Sequence, residues 1–102
     1  MIALLEDKRE QLEKLCQEFS VSRLEAFGSA TNAAFDPLHS DFDFLVEFNR
    51  SPTMNAFHQF FGFQLALADL FQRKIDLVDA KAMRNPYFIE SVNRSRKLLY
   101  AA

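Results

Sequence analysis

The sequence predicts an α+β (α/β) chain, a small β-sheet flanked by helices, and three observations predict it. Hydrophobic periodicity changes along the chain in the order helix, strand, turn, strand, helix, strand, helix, with the apolar end Leu98-Leu99-Tyr100 as a further candidate strand. The segment Asp41–Phe48 (DFDFLVEF) alternates with the two-residue period of a strand: Phe42, Phe44, Val46 and Phe48 on one face, Asp41, Asp43, Leu45 and Glu47 on the other. The length of 102 residues, 49% hydrophobic and 25% charged, is that of one globular domain, so residues 1–102 are read as a single unit. With 12 Phe and no Trp, the core is expected to be built from phenylalanine.

The first element is a helix over about residues 3–19, where Leu5, Leu12, Leu15, Cys16 and Phe19 recur at helical spacing. Glu10 and Lys14 form an i,i+4 pair on its wet side. A strand within Val21–Phe27 runs into Gly28-Ser29. Residues 30–35 can make a short helix or turn closed by Asp36-Pro37, and Asn49-Arg50-Ser51-Pro52 ends the DFDFLVEF strand. Thr53 is the candidate N-cap of a long helix to about Gln72. That helix is apolar over more than one stripe: Phe57, Phe61, Ala68 and Phe71 on one face, Phe60, Phe63, Leu67 and Leu70 on a flanking one. One small sheet covers one side of a helix, so self-association or docking on a helical partner is expected. A strand follows at Lys74–Val78, and Asn85-Pro86 opens a last helix through about Val92.

The balance of 12 basic and 14 acidic residues, net charge -2, argues against holding nucleic acid through bulk charge. Cys16 is the single cysteine, which excludes a disulfide framework and a cysteine-based metal site. No stretch approaches the length of a membrane span, and Met1–Leu5 is too short for a signal peptide; a cytoplasmic chain is expected.

Chemistry concentrates in the acidic residues. Asp41 and Asp43 lie two apart on a strand and project from one face, an unfavourable juxtaposition unless a cation sits between them. By itself the pair also fits a solvated edge strand. Asp76 stands in the apolar run Ile75–Val78 and needs a partner or water. If the two strands are neighbours, the three carboxylates would suit a hard divalent cation such as magnesium. Gly28-Ser29, at a strand end, offers close backbone approach, amides and a hydroxyl to a phosphate. His39 could touch a nucleotide or metal but reads better as a loop histidine, and His58 receives no role. Lys74 could reach a phosphate, and Arg94, Arg96 and Lys97 could contact a nucleotide or nucleic acid, although solvated or helix-end cations fit as well.

Together Phe27-Gly28-Ser29, the run Ser40–Phe48 and the run Lys74–Val78 resemble the nucleotidyltransferase superfamily, and in length and order its minimal nucleotidyltransferases. The resemblance implies a small mixed sheet flanked by helices. It implies that Gly28 and Ser29 hold the phosphates of a nucleotide, that Asp41 and Asp43 bind Mg2+, and that Asp76 is the third carboxylate, helping to activate an acceptor hydroxyl. The implied reaction is magnesium-dependent transfer of a nucleoside monophosphate, AMP from ATP, to that hydroxyl. The acceptor would be a protein, as in antitoxins that modify a helical HEPN-type toxin, with tRNA or a small molecule as other acceptors of related folds. Two departures stand out. The family commonly carries a small-x-Arg-Gly segment soon after Gly-Ser, where this chain has Ala30-Thr31-Asn32-Ala33-Ala34-Phe35, and the spacer from Ser29 to Asp41 is one residue longer than usual. The alternative reading is therefore a catalytically inactive, nucleotidyltransferase-like binding subunit acting through protein contacts.

Overall fold

The two-residue alternation in the second strand decides how the sheet is packed. In the computed structural model, which describes residues 3–28 and 41–102, four strands form one sheet in the order β3-β2-β1-β4. They are β1 (Val21–Phe27), β2 (Phe42–Phe48), β3 (Ile75–Asp79) and β4 (Lys97–Ala101). β1 runs antiparallel to β2 and β4, and β2 runs parallel to β3, so the sheet is mixed. The helices are α1 (Ala3–Asp7), α2 (Arg9–Glu18), α3 (Ala56–Phe71) and α4 (Pro86–Ser95), with a 3-10 turn at Ala80–Ala82.

Phe42, Phe44 and Val46 point to one face, joined by Leu24, Ala26, Ile75, Leu77 and Leu99. Leu12 and Cys16 of α2 and Phe63, Leu67 and Phe71 of α3 close this core. Phenylalanine supplies much of it: the ring of Phe71 stands edge-on to Phe42 at 4.9 Å and lies 6.0 Å from that of Phe44. The other face is smaller, with Phe27 and Leu45 packed against Val92 of α4 and half-buried Val78, Ala80 and Met83. The sheet thus lies between α2–α3 and α4. No helix among the described residues is long and apolar enough to cross a membrane.

Three boundaries differ from expectation. The first helix is two pieces, because Lys8 leaves helical geometry at φ -107°, ψ 15°. The cap of α3 is Asn55 rather than Thr53: the Asn55 side chain accepts from the His58 N–H at 2.8 Å, while the Thr53 N–H donates to Ser51 Oγ in the preceding turn. α4 runs to Ser95, three residues beyond Val92, before β4 begins.

The inner face of α3 also differs. Gln59, Phe63, Leu67 and Phe71, spaced four apart, are buried. Phe57, Phe61 and Leu65 form a parallel exposed row, at 66%, 46% and 72% exposure. Phe71 therefore sits with Phe63 rather than with Phe57 and Phe61. The reason lies at Gln59, whose Nε2 donates to the carbonyls of Phe19 and Asn49, tying α3 to the ends of α2 and β2 and fixing which side faces in. The chain's own α2 covers the second stripe at Phe63, leaving Phe57, Phe61 and Leu65 as the apolar residue row without internal cover.

Candidate active site

Strand register builds the site. Phe27 of β1 is opposite Asp43 of β2, and Asp43 is opposite Asp76 of β3, so a single row across three strands holds both aspartates at the end of the sheet where β1 ends. Residues directly opposite share a face. The Asp43 and Asp76 carboxylates therefore face one another across the β2–β3 pair. Asp43 is half-buried, and burial, then Asp76 and the charge of Asp41, push its carboxyl up to about 6. Like charges placed so close disfavour one another, and a cation between them would offset that repulsion. Asp41, just before β2, is half-buried on the same side and acts on Asp43 through its charge.

Gly28 closes the row. Its φ of +68° is the left-handed conformation that glycine adopts without strain, and a Cβ there would lie 2.7 Å from Asp43 Oδ2. Glycine thus lets the chain pass directly over the carboxylate. Its N–H donates to Ser95 Oγ at 2.8 Å, so that amide is committed to the end of α4. Ser29, His39 and the helix or turn expected at 30–35 lie outside the described residues.

Among the described residues no three His, Cys, Asp or Glu side chains are gathered closely enough to hold a metal ion. The donor chemistry nevertheless suits magnesium. Asp43 and Asp76 present hard oxygens side by side, with Asp41 adjacent, and magnesium takes one or two carboxylates while keeping waters and substrate phosphates as its other ligands. A cation there would also offset the burial and the neighbouring charges that raise Asp43.

A second ionic group lies on the same sheet face. Glu25 is 4% exposed, and Arg96 grips it with two bonds, Nη2 to Oε1 at 2.6 Å and Nε to Oε2 at 2.8 Å. Arg23 Nε adds a third at 2.9 Å. The Arg96 bonds, together with Arg23, hold the Glu25 carboxyl down at about 2. Arg94 pairs with Glu90 at 2.8 Å. Two of the three cations expected as a possible ligand patch are thus engaged within the fold, and Lys97 is exposed on β4. Lys74 is exposed at the strand end and His58 is exposed on α3. Sequence reasoning passed over Glu25 and Ser95. Glu25 carries the signal used for Asp76, an acid within an apolar run, whereas nothing local distinguishes Ser95. A cavity of about 600 Å³ opens at the opposite end of β2, lined by residues 48–56 with Gln59, Phe60, Asp79 and Lys81, away from the carboxylates.

Comparison with known proteins gives this geometry a family. The nucleotidyltransferase domain model matches residues 8–99. A Methanocaldococcus jannaschii protein, named as a candidate protein adenylyltransferase, is 37% identical over 79 residues, 76% of each chain. A solved structure described as a candidate minimal nucleotidyltransferase superposes with a TM-score of 0.72 at 26% identity, covering 94% of this chain and 95% of that one. A chain from the tri-AMPylated Shewanella oneidensis HEPN toxin in complex with its MNT antitoxin has the same fold, with a TM-score of 0.64 at 18% identity over 95% of this chain and 72% of that one. The chain belongs to the nucleotidyltransferase domain family, and its mixed four-stranded sheet with flanking helices is that family's fold.

Proposed function

We propose that the chain is a magnesium-dependent adenylyltransferase that moves AMP from ATP onto a hydroxyl of a protein partner, a helical toxin of the HEPN type. The observation that carries this reading is the row Gly28–Asp43–Asp76, two carboxylates facing each other across neighbouring strands beneath a glycine of left-handed φ at the end of the sheet. The family match over residues 8–99 supports the reaction class. The partner is supported by structural neighbours that are MNT antitoxins in complex with HEPN toxins, and one toxin–antitoxin neighbour was solved with AMP-PNP.

Asp43 and Asp76 would hold the magnesium, with Asp41 next to them just before β2. When bound, the ion polarises the α-phosphate and steadies the pyrophosphate leaving group. Asp43, whose carboxyl is pushed up chiefly by burial and then by Asp76, is the ligand that a bound cation would stabilise most in its ionised form. Asp76, exposed beside it, is placed to take the proton of the attacking hydroxyl. Gly28 and Ser29 receive the triphosphate, with the Gly28 turn supplying clearance rather than its own N–H. The reaction is expected in the cytoplasm. The exposed row Phe57, Phe61 and Leu65 offers the apolar face for the partner or for a second copy.

The test is transfer of label from α-labelled ATP to a copurified partner, with and without magnesium. Label on the partner, lost in Asp43→Asn and Asp76→Asn, supports the reading. ATP binding without transfer would instead support a binding subunit, the reading favoured by the absence of the Arg-Gly segment from residues 30–35.

A further inference from the structure

We propose that Ser95 is a positioning residue for the nucleotide, its hydroxyl holding the Gly28 turn over Asp43 and so making α4 a working wall of the site. This inference rests on the transferase reading above.

Three independent contacts fix where Ser95 stands. At the start of α4, the Phe88 ring meets the Phe27 ring edge-on at 6.0 Å. In its middle, Val92 is buried between Phe27 and Leu45. Directly after it, Arg96 clamps buried Glu25 with paired bonds. The helix is thus anchored to β1 on both sides of Ser95, which leaves its Oγ little freedom to move. From that place it accepts the Gly28 N–H at 2.8 Å, across 67 residues of sequence. A helical serine ordinarily turns its hydroxyl back onto its own helix or out to water. Here it serves another element.

The turn it serves has narrow tolerances. Gly28 lies so close to Asp43 that a methyl group would reach within 2.7 Å of Oδ2. Glycine also has the widest backbone freedom of any residue, so a glycine turn stays in place only where its surroundings hold it. A shift of about 1 Å in a substrate-positioning element is enough to weaken engagement of the substrate many-fold. Without the Ser95 acceptor the Gly28 amide loses that partner at the point where the triphosphate must approach. The hydroxyl also keeps its own proton to donate, since it accepts from Gly28.

The experiment compares Ser95→Ala with Ser95→Thr, which keeps the hydroxyl. Two readouts are taken on each: KM and kcat for ATP with magnesium, and hydrogen exchange at the Gly28 amide without ligand. The expected result for Ser95→Ala is a KM for ATP raised roughly tenfold with kcat within about threefold, and Gly28 exchange faster by roughly tenfold, both restored in Ser95→Thr. A merely structural serine would lower the melting temperature and leave KM unchanged, and that outcome overturns the proposal. Unchanged Gly28 exchange in Ser95→Ala overturns it as well. A wild-type chain that neither binds nor transfers a nucleotide removes the transferase reading, and this proposal with it. A wild type and Ser95→Ala with equal KM remove this proposal alone.

Discussion

Asp43 is an acid that folding makes harder to ionise. Its carboxyl moves from the ordinary 3.8 to about 6, chiefly through burial and then through Asp76. A raised acid binds its proton more tightly in the native state than in the unfolded chain. Its penalty is therefore absent below pH 4, grows between pH 4 and 6 and is complete above pH 6. We expect metal-free wild type to lose roughly 1–2 kcal/mol over that window relative to Asp43→Asn, a range that allows for solvent screening of a half-exposed group. Thermal melts from pH 4 to 7.5 check this, and magnesium with ATP should reverse the loss in wild type but not in Asp43→Asn. Glu25 has the opposite sign. Its carboxyl is held at about 2 from an ordinary 4.5, so its stabilisation is present above pH 4.5 and fades as pH falls toward 2. Gly28→Ala should cost about 1–3 kcal/mol, from a left-handed φ combined with the 2.7 Å approach to Asp43 Oδ2. Combining it with Asp43→Ala should recover the steric part, as chemical denaturation of the single and double variants would show.

At the scale of elements, α3 distinguishes residues that look alike in the sequence. Phe63→Ala should destabilise by about 3–5 kcal/mol, because the ring is fully buried against Phe19 and Phe48. Phe61→Ala should change stability by less than about 0.5 kcal/mol. Urea midpoints of the two variants decide whether the inner face is correctly placed. This contrast also shows what was legible in advance. β2 was, because a strict two-residue alternation separates Phe42, Phe44 and Val46 from Asp41, Asp43 and Leu45 without regard to neighbours. The inner face of α3 was not, because a helix apolar over most of its circumference has no single stripe, and the choice was made by Gln59 reaching two distant carbonyls. The cap shifted from Thr53 to Asn55 because both residue types cap helices and local sequence does not rank two candidates so close together. The meeting of Asp43 with Asp76 follows from β2 and β3 lying side by side in parallel. The Glu25–Arg96 clamp spans 71 residues and leaves no periodic trace.

For the whole molecule, the exposed row Phe57–Phe61–Leu65 governs behaviour in solution. Two of its rings, Phe57 and Phe61, already pack against each other at a tilt, with centroids 4.7 Å apart. A net charge of -2 supplies little repulsion to keep copies separate. We expect the purified chain to self-associate at micromolar concentration or to copurify with a partner. The double variant Phe57→Ser/Phe61→Ser should be monomeric by light scattering with an unchanged melting temperature; loss of fold in that variant would mean the row is structural after all. The buried thiol of Cys16 has a separate use. It lies at 0% exposure between α2 and the sheet, and burial pushes it up to about 12. A thiol-reactive probe can reach this sulfur only when the helices lift from the sheet. The chain therefore carries a built-in clock for its own opening: the labelling rate of one atom, read without denaturant, times how often the layer behind the active site comes apart and how far a bound nucleotide slows it.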